Sequence, residues 1–86
     1  MILEFYNEVY NMLKGKDADI ISLALESVQH PSNGVRLYVS CRIRKTLMSY
    51  ENFMAHPVRD EAMEETLKNA KSAVRNWLRN QGGLHG

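Results

Sequence analysis

The sequence predicts an all-α protein, an antiparallel four-helix bundle that forms a single domain over residues 1–81 and ends in a flexible tail at 82–86. The chain of 86 residues is long enough for one hydrophobic core only. Apolar residues recur three and four positions apart in four successive stretches. Three short breaks separate these stretches, at Gly15, at His30-Pro31 and between Asn52 and Pro57.

The composition is that of an ordinary globular protein. Apolar residues make up 44% and charged residues 24%, and the formal net charge is +1. A nucleic-acid-binding protein usually carries a marked basic excess, so this balance argues against one. The single cysteine, Cys41, has no internal disulfide partner, which favours a reducing compartment. The sequence also begins without a secretory signal pattern, and we expect a cytoplasmic protein.

The first two stretches predict two amphipathic helices. The first covers residues 2–14 and ends at Gly15, a residue type that closes helices. Its apolar face consists of Ile2, Phe5, Tyr6, Val9, Tyr10 and Leu13. The second is expected to run from Asp17 as N-cap to about His30, because a residue before proline disfavours the helical conformation. Its apolar face consists of Ile20, Ile21, Ala24, Leu25 and Val28.

The third stretch, residues 32–55, has two interpretations. Apolar and polar residues alternate strictly from Val35 to Arg44, which is strand periodicity. The preceding Ser32-Asn33-Gly34 triplet suits a turn, and Ile21, Leu23 and Leu25 offer a partner strand, which would give an α-β-β-α plan with a central hairpin. Helical spacing, however, runs unbroken through Val35, Val39, Ile43, Leu47, Tyr50 and Met54, over a length too great for one strand. We predict a helix and keep the hairpin as the alternative.

The fourth stretch, from Pro57 to about Asn80, predicts the clearest helix. Proline suits the first helical position. Acidic residues crowd the start and basic residues the end, as the helix dipole favours. Met63, Leu67, Ala70, Val74, Trp77 and Leu78 share one face.

Catalytic and metal-binding patterns are missing from the sequence. His30, His56 and His85 are too far apart to form the local pairs of a zinc site. Cys41 lies in no nucleophile signature, and Gly15 and Gly34 are isolated rather than part of a phosphate-binding loop. We therefore expect no catalytic residues, no bound metal and no cofactor.

Two surfaces are candidates for binding. The densest group of cations is Arg36, Arg42, Arg44 and Lys45. On a helix these four would point in different directions, so a nucleic-acid partner is disfavoured, and a DNA-binding regulator is kept as an alternative. The second candidate is the end of the last helix, where Trp77 and Arg79 are of the residue types most enriched at binding hot spots. The face that Trp77 shares with Met63, Leu67 and Val74 favours a place in the core, and one edge of its ring could still contribute to an exposed rim.

Several features together resemble the immunity proteins of class II bacteriocins, of the pediocin-like and lactococcin-like kind. These features are a tyrosine-containing first helix, a second helix that ends in Glu26-Ser27-Val28, and the third-helix run Arg42-Ile43-Arg44-Lys45-Thr46-Leu47. The similarity covers residues 5–78.

The resemblance implies an antiparallel four-helix bundle without enzyme activity that protects the producing cell from within. Such a protein acts at a membrane receptor, a sugar phosphotransferase permease, once the toxin has engaged it, so peripheral membrane association is compatible with it. Specificity would lie in the last helix and tail, and the partner-binding residues would be Trp77, Leu78, Arg79, Asn80 and His85. A phage-encoded regulator that binds DNA or a host protein is the alternative, and the oligomeric state is open.

Overall fold

The computed structural model describes residues 1–82, with side chains as far as Asn80. The elements are α1 (Ile2–Leu13), β1 (Ala18–Val28), β2 (Gly34–Ile43), β3 (Thr46–Ala55) and α2 (Asp60–Gly82). The predicted all-α four-helix bundle is wrong, because an antiparallel sheet of order β1-β2-β3 occupies the place of the second and third helices. The alternative with a central hairpin agrees with the pairing of β1 and β2, and the structure adds a third strand.

The spacing in residues 32–55 led to the wrong prediction of a helix because the same spacing is also compatible with a strand. Val35, Val39 and Ile43 are four positions apart, and any even spacing places residues on one face of a strand. Leu37 and Cys41 distinguish the two interpretations, because on a helix they would not share a face with the other three residues. Both are fully buried beside Val39 and Ile43, so all these side chains lie on one face of β2.

The turn between β2 and β3 explains why residues 34–55 do not form one overlong strand. Ile43 pairs with Thr46, which leaves Arg44 and Lys45 as a two-residue hairpin turn. Arg44 adopts a positive φ of 57°. Such turns usually contain glycine or asparagine, and the Arg44-Lys45 pair carries no such signal.

Strand β1 replaces the predicted second helix. Asp17, predicted as its N-cap, instead has a positive φ of 55° in the turn after α1, next to Gly15 with a φ of 74°. The backbone N–H of Arg44 donates to the carbonyl oxygen of Asp17 at 2.9 Å, which joins this turn to the β2–β3 turn. The register between β1 and β2 shifts between Ile20 and Ser22, so Ile21 forms a bulge.

The two helices lie side by side on one face of the sheet. α1 packs against β1 and α2, whereas α2 packs against β2 and β3. The helices run in the same direction, since Glu4 lies beside Glu64 and the Nζ of Lys71 binds Glu8 Oε1 at 2.5 Å. The buried apolar residues between helices and sheet are Phe5, Val9, Leu13, Leu37, Val39, Cys41, Ile43, Met54, Leu67, Ala70, Val74 and Trp77. Within residues 1–82, no element covers the opposite, open face of the sheet.

The last helix begins later than the sequence predicts. Pro57 was expected at the first helical position, but α2 starts at Asp60, with Asp60 and Glu61 in its first turn. Residues 56–59 form the connection from β3, and the backbone N–H of His56 donates to Asn33 in the β1–β2 connection at 3.1 Å. The two His-Pro sequences thus lie in connections that meet at one end of the sheet.

Candidate protein-binding surface

The residues predicted to bind a partner at the end of α2 do not form a common surface. Trp77 is only 9% exposed and belongs to the core, and Leu78 packs against that core. Arg79 and Asn80 are exposed, and Arg79 Nη2 donates to Asn76 Oδ1 at 3.0 Å. His85 lies outside the described residues. Among the described residues of this set, only Arg79 and Asn80 are exposed, and the buried indole of Trp77 cannot serve as their apolar anchor.

The predicted basic patch is divided by the fold. Arg36 and Arg42 lie on the open face of β2, where each is held between two carboxylates. Arg36 binds Glu26 and, at 3.2 Å, Glu51. Arg42 binds Asp19 and, at 3.4 Å, Asp17. Carboxylates of β1 and β3 therefore neutralise Arg36, and carboxylates of β1 and of the turn before it neutralise Arg42.

The pKa values of these arginines report the same arrangement. The hydrogen bond that Arg36 donates to Glu26, together with the negative charge of Glu26, raises the pKa of Arg36, and the hydrogen bond that Arg42 donates to Asp19 has the largest effect in raising the pKa of Arg42. Arg44 and Lys45 are exposed in the β2–β3 turn, where the carbonyl oxygen of Arg44 accepts a hydrogen bond from Arg42. The open face of the sheet therefore does not present the continuous cationic surface that the DNA phosphate backbone requires.

Cys41 is placed for packing rather than reaction. Its thiol is fully buried between β2 and the helices, and loss of solvation raises its pKa to about 11. At neutral pH it is therefore protonated and weakly nucleophilic. Among residues 1–82, no group of three or more histidine, cysteine or acidic side chains is arranged to hold a metal ion.

The most apolar exposed surface of a helix lies on α1. Leu3, Tyr6 and Tyr10 recur at helical spacing and are 69%, 40% and 51% exposed. The two tyrosine rings stack, with centroids 6.5 Å apart and an angle of 11° between the ring planes. We call these three residues the tyrosine stripe. Tyrosine side chains combine large contact area with few rotatable bonds, which suits them to protein recognition.

The tyrosine stripe faces away from α2. Glu8 lies on the flank of α1 that contacts α2, because its carboxylate binds Lys71. Tyr6 and Tyr10 each lie two positions from Glu8, which places them about 200° around the helix axis, on the opposite flank. That flank overlooks the outer edge of β1.

Strand β1 contributes its own exposed apolar residues to this region. Among the described residues, β1 is an edge strand, so its outer backbone groups are available for pairing. The bulge leaves Ile21 exposed, and Leu25 is partly exposed on the side of the sheet that carries α1. Beyond the bulge, the seven residues Ser22–Val28 pair regularly with β2.

The position of α1 makes this edge a partly covered groove. Strands in a sheet lie about 4.8 Å apart, and packed helices lie about 8–10 Å apart. Because α2 packs against β2 and β3 while α1 packs against β1, the axis of α1 lies above β1 or slightly beyond it. From these contacts we expect the tyrosine stripe to lie above the outer edge of β1, and we call this edge together with the stripe the β1 groove.

The sequence indicated only part of the β1 groove. Tyr6 and Tyr10 were assigned to the buried face of the first helix, whereas both are exposed. A helical wheel could distinguish the two tyrosines from the buried face. Phe5, Val9 and Leu13 recur every four positions on that face and leave a second stripe that consists of Leu3, Tyr6 and Tyr10. The sequence does not predict the strand edge, because the pattern in this segment favours a helix.

Comparisons with protein-family models, with curated proteins and with solved structures found no match for this chain. Of the helices in the described part of the chain, neither is both long and apolar enough to cross a membrane.

Proposed function

We propose that the protein is a non-enzymatic, cytoplasmic recognition module that binds an extended segment of a protein partner in the β1 groove. The partner segment would add as a fourth strand to the edge of β1, with backbone hydrogen bonds along Ser22–Val28. The observation that carries the proposal is the tyrosine stripe, whose exposed apolar area overlooks an edge strand that also exposes Ile21 and Leu25.

The position of α1 favours a helix-free segment over a second copy of the chain at this edge. If two β1 strands paired across a twofold axis, their α1 helices would lie only about 5 Å apart. Packed helices need about 8–10 Å. An extended peptide brings no helix of its own and fits beneath α1.

The groove also defines which residues the segment should carry. Side chains on the helix side of an added strand would meet Leu25, Tyr6 and Tyr10, so alternate positions should be apolar. Side chains on the open face would lie beside Ser22, Ala24 and Glu26, and the carboxylate of Glu26 is already paired with Arg36. Polar residues suit these positions.

Bacteriocin immunity is not the function that the geometry favours. That expectation came from a resemblance that included a third helix and implied a four-helix bundle, and this chain forms neither. A binding role without enzyme activity is the part of the expectation that we retain. Production of the protein in strains sensitive to class II bacteriocins separates the two functions, because the β1 groove alone predicts no gain in survival.

The proposal is tested with a peptide library of about nine residues that alternates apolar and polar positions. We expect a subset with apolar residues at every second position to bind, as measured by fluorescence anisotropy. The double variant Tyr6→Ala/Tyr10→Ala should weaken the binding of that subset by roughly tenfold or more, because it removes two anchor residues. Hydrogen exchange should show new protection of alternate backbone amides of Ser22–Val28, those that point away from β2, in the complex.

A matched control is Leu47→Ala, which removes an exposed apolar side chain from β3 at the opposite edge. It should leave peptide affinity unchanged. Circular dichroism should show that all variants keep the wild-type fold. If no peptide of the library binds, or if binding tolerates the loss of both tyrosines, the β1 groove is not a recognition site.

A further inference from the structure

The opposite edge of the sheet, formed by β3, differs from the β1 edge in its regularity. All ten residues of β3 pair in register with β2. The strand contains one charged residue, Glu51, and neither lysine nor proline. Proteins usually protect edge strands by bulges, charges or a covering element, because unpaired backbone groups recruit further strands. β3 shows a regular register and little charge, so it is suited to pair with another strand.

Two large apolar side chains of β3 are exposed on the open face of the sheet. Leu47 is 66% and Phe53 is 43% exposed. Both lie three residues from Tyr50, one on each side. In an antiparallel pair of identical strands centred on Tyr50, Leu47 of each copy lies directly opposite Phe53 of the other. This single register therefore covers Leu47 and Phe53 of both copies.

We infer that a second copy of this chain pairs with the edge of β3 in an antiparallel, twofold-symmetric register centred on Tyr50. The resulting dimer has a continuous six-stranded sheet of order β1-β2-β3-β3-β2-β1. Apolar and aromatic side chains that face each other directly across antiparallel strands stabilise the pair. Glu51 lies opposite Ser49 in this register, so no like charges are opposed, and its carboxylate is already bound to Arg36.

A groove beside β3 receives side chains of the second copy. It has a volume of about 320 Å³ and lies between the end of β3, from Asn52 to Ala55, and the first half of α2. In the proposed register, Met48 of the second copy lies opposite Asn52, on the side of the sheet that carries the helices. The groove is lined by polar side chains, among them Asn52, Glu65 and Thr66, as well as by apolar ones, and the flexible, polarisable thioether of methionine adapts to such irregular surroundings. The groove is therefore occupied by the same strand that pairs with β3.

The helix layer is compatible with this arrangement. Because α2 packs against both β2 and β3, its axis lies near the line between them. Pairing of two β3 strands then places the two α2 axes about 10 Å apart, close to the usual packing distance. Asn69 and Ala73 lie two positions from Lys71, which contacts α1, and so they face the second copy. Both are small and uncharged.

The area available is sufficient for a stable dimer. The nine residues 46–54 that pair in this register span about 31 Å, and the smallest extent of the molecule is 17 Å. The projected contact is therefore on the order of 500 Å² from each copy, and about 1,000 Å² in total reaches the roughly 1,000 Å² expected of a specific interface. The β1 grooves lie at the two outer edges of this dimer and stay accessible.

Cross-linking tests the register directly. In a Cys41→Ala background, the variants Leu47→Cys and Phe53→Cys are purified separately and mixed under mild oxidation. We expect a disulfide-linked species from the mixture and little from either variant alone, because identical positions lie about 20 Å apart across the twofold axis. Tyr50→Cys, at the centre of the register, should cross-link by itself. Equal cross-linking of Leu47→Cys with itself would overturn the register.

The assembly itself is measured by light scattering coupled to size exclusion. We expect twice the 9.9 kDa mass of one chain, and Leu47→Lys should raise the dimer dissociation constant by roughly tenfold or more. Ile21→Lys, on β1, is the matched control and should leave the dimer intact while it weakens peptide binding. A wild-type protein that is monomeric at about 100 μM, with normal circular dichroism, would refute the dimer and leave the proposed function standing.

Discussion

Gly34 and Phe53 lie against each other on the open face of the sheet. Gly34 begins β2 opposite Ala55, and the ring of Phe53 lies diagonally across it on β3. A methyl group on Gly34 would approach Phe53 Cζ to 2.5 Å and would also collide with the carbonyl oxygen of Met54. The aromatic ring covers the position where glycine leaves the backbone bare, a pairing known to stabilise sheets. Sterics rather than backbone dihedral angles therefore require glycine at this position.

Gly34→Ala should destabilise the protein by about 1–3 kcal/mol, because β2 or β3 must shift to admit the new methyl group. The free energy of unfolding in urea measures this change. Ser32→Ala, in the exposed connection before β2, is the control and should change stability by no more than about 0.5 kcal/mol. Equal stability of the two variants would show that the strands can separate at this point without cost.

The free energy of unfolding should fall between pH 9 and pH 11 because of Cys41. Its pKa is raised by burial from 9.0 to about 11. The unfolded chain releases the thiol proton near pH 9, whereas the folded chain keeps it, so the contribution is fully present below pH 9 and is lost as the pH rises through this window. The loss should reach on the order of 2 kcal/mol by pH 11.

Cys41→Ala serves as the control for this pH dependence. Burial also raises the pKa of Tyr50 and acts in the same direction, so the wild-type protein must be compared with this variant rather than with a theoretical curve. Urea denaturation at pH 8, 9, 10 and 11 measures both proteins. Parallel loss of stability in the two would contradict the assignment to the thiol. Wild-type Cys41 should also resist alkylation at pH 8 until the protein is unfolded.

Trp77→Ala should destabilise the fold by about 3–5 kcal/mol, since it leaves a large cavity between α2 and the sheet. Trp77 is the only tryptophan, so quenching of its fluorescence by acrylamide reports its burial directly. We expect weak quenching in the folded protein and strong quenching in urea. Arg79→Ala, which changes an exposed residue two positions away, is the control. A Trp77→Ala variant as stable as the control would place the indole ring at the surface after all.

Removal of the carboxylates that bind Arg36 and Arg42 should give the protein an affinity for nucleic acid that we do not expect of the wild type. The double variant Asp19→Asn/Glu26→Gln removes the closest carboxylates of Arg42 and Arg36. We expect it to retard duplex DNA at low salt with a steep salt dependence. Glu61→Gln/Glu65→Gln makes the same change in net charge on α2 and should have a smaller effect. Salt-dependent binding of DNA by the wild-type protein would instead favour the alternative function, that of a DNA-binding regulator.

The terminal helices were predictable from the sequence, but the central strands were not. In the first helix, Phe5, Val9 and Leu13 recur at a spacing of four with no competing strand pattern, and the helix ends close to the predicted Gly15. In the centre, Val35, Val39 and Ile43 satisfy both periodicities, so the pattern alone could not decide. The turn at Arg44-Lys45 decides in favour of two strands, but it is not visible in the sequence because the pair contains no glycine, asparagine or proline.

The amino-acid pattern by itself determined that α1 and the last helix are amphipathic and that the chain holds one core. Tertiary structure decided what each exposed side chain can bind. The strands bring Glu26 and Asp19 beside Arg36 and Arg42, and so they neutralise cations that look available in the sequence. Such pairings join residues 10 and 23 positions apart. Local spacing cannot encode them, because the register of the sheet depends on the packing of the whole domain.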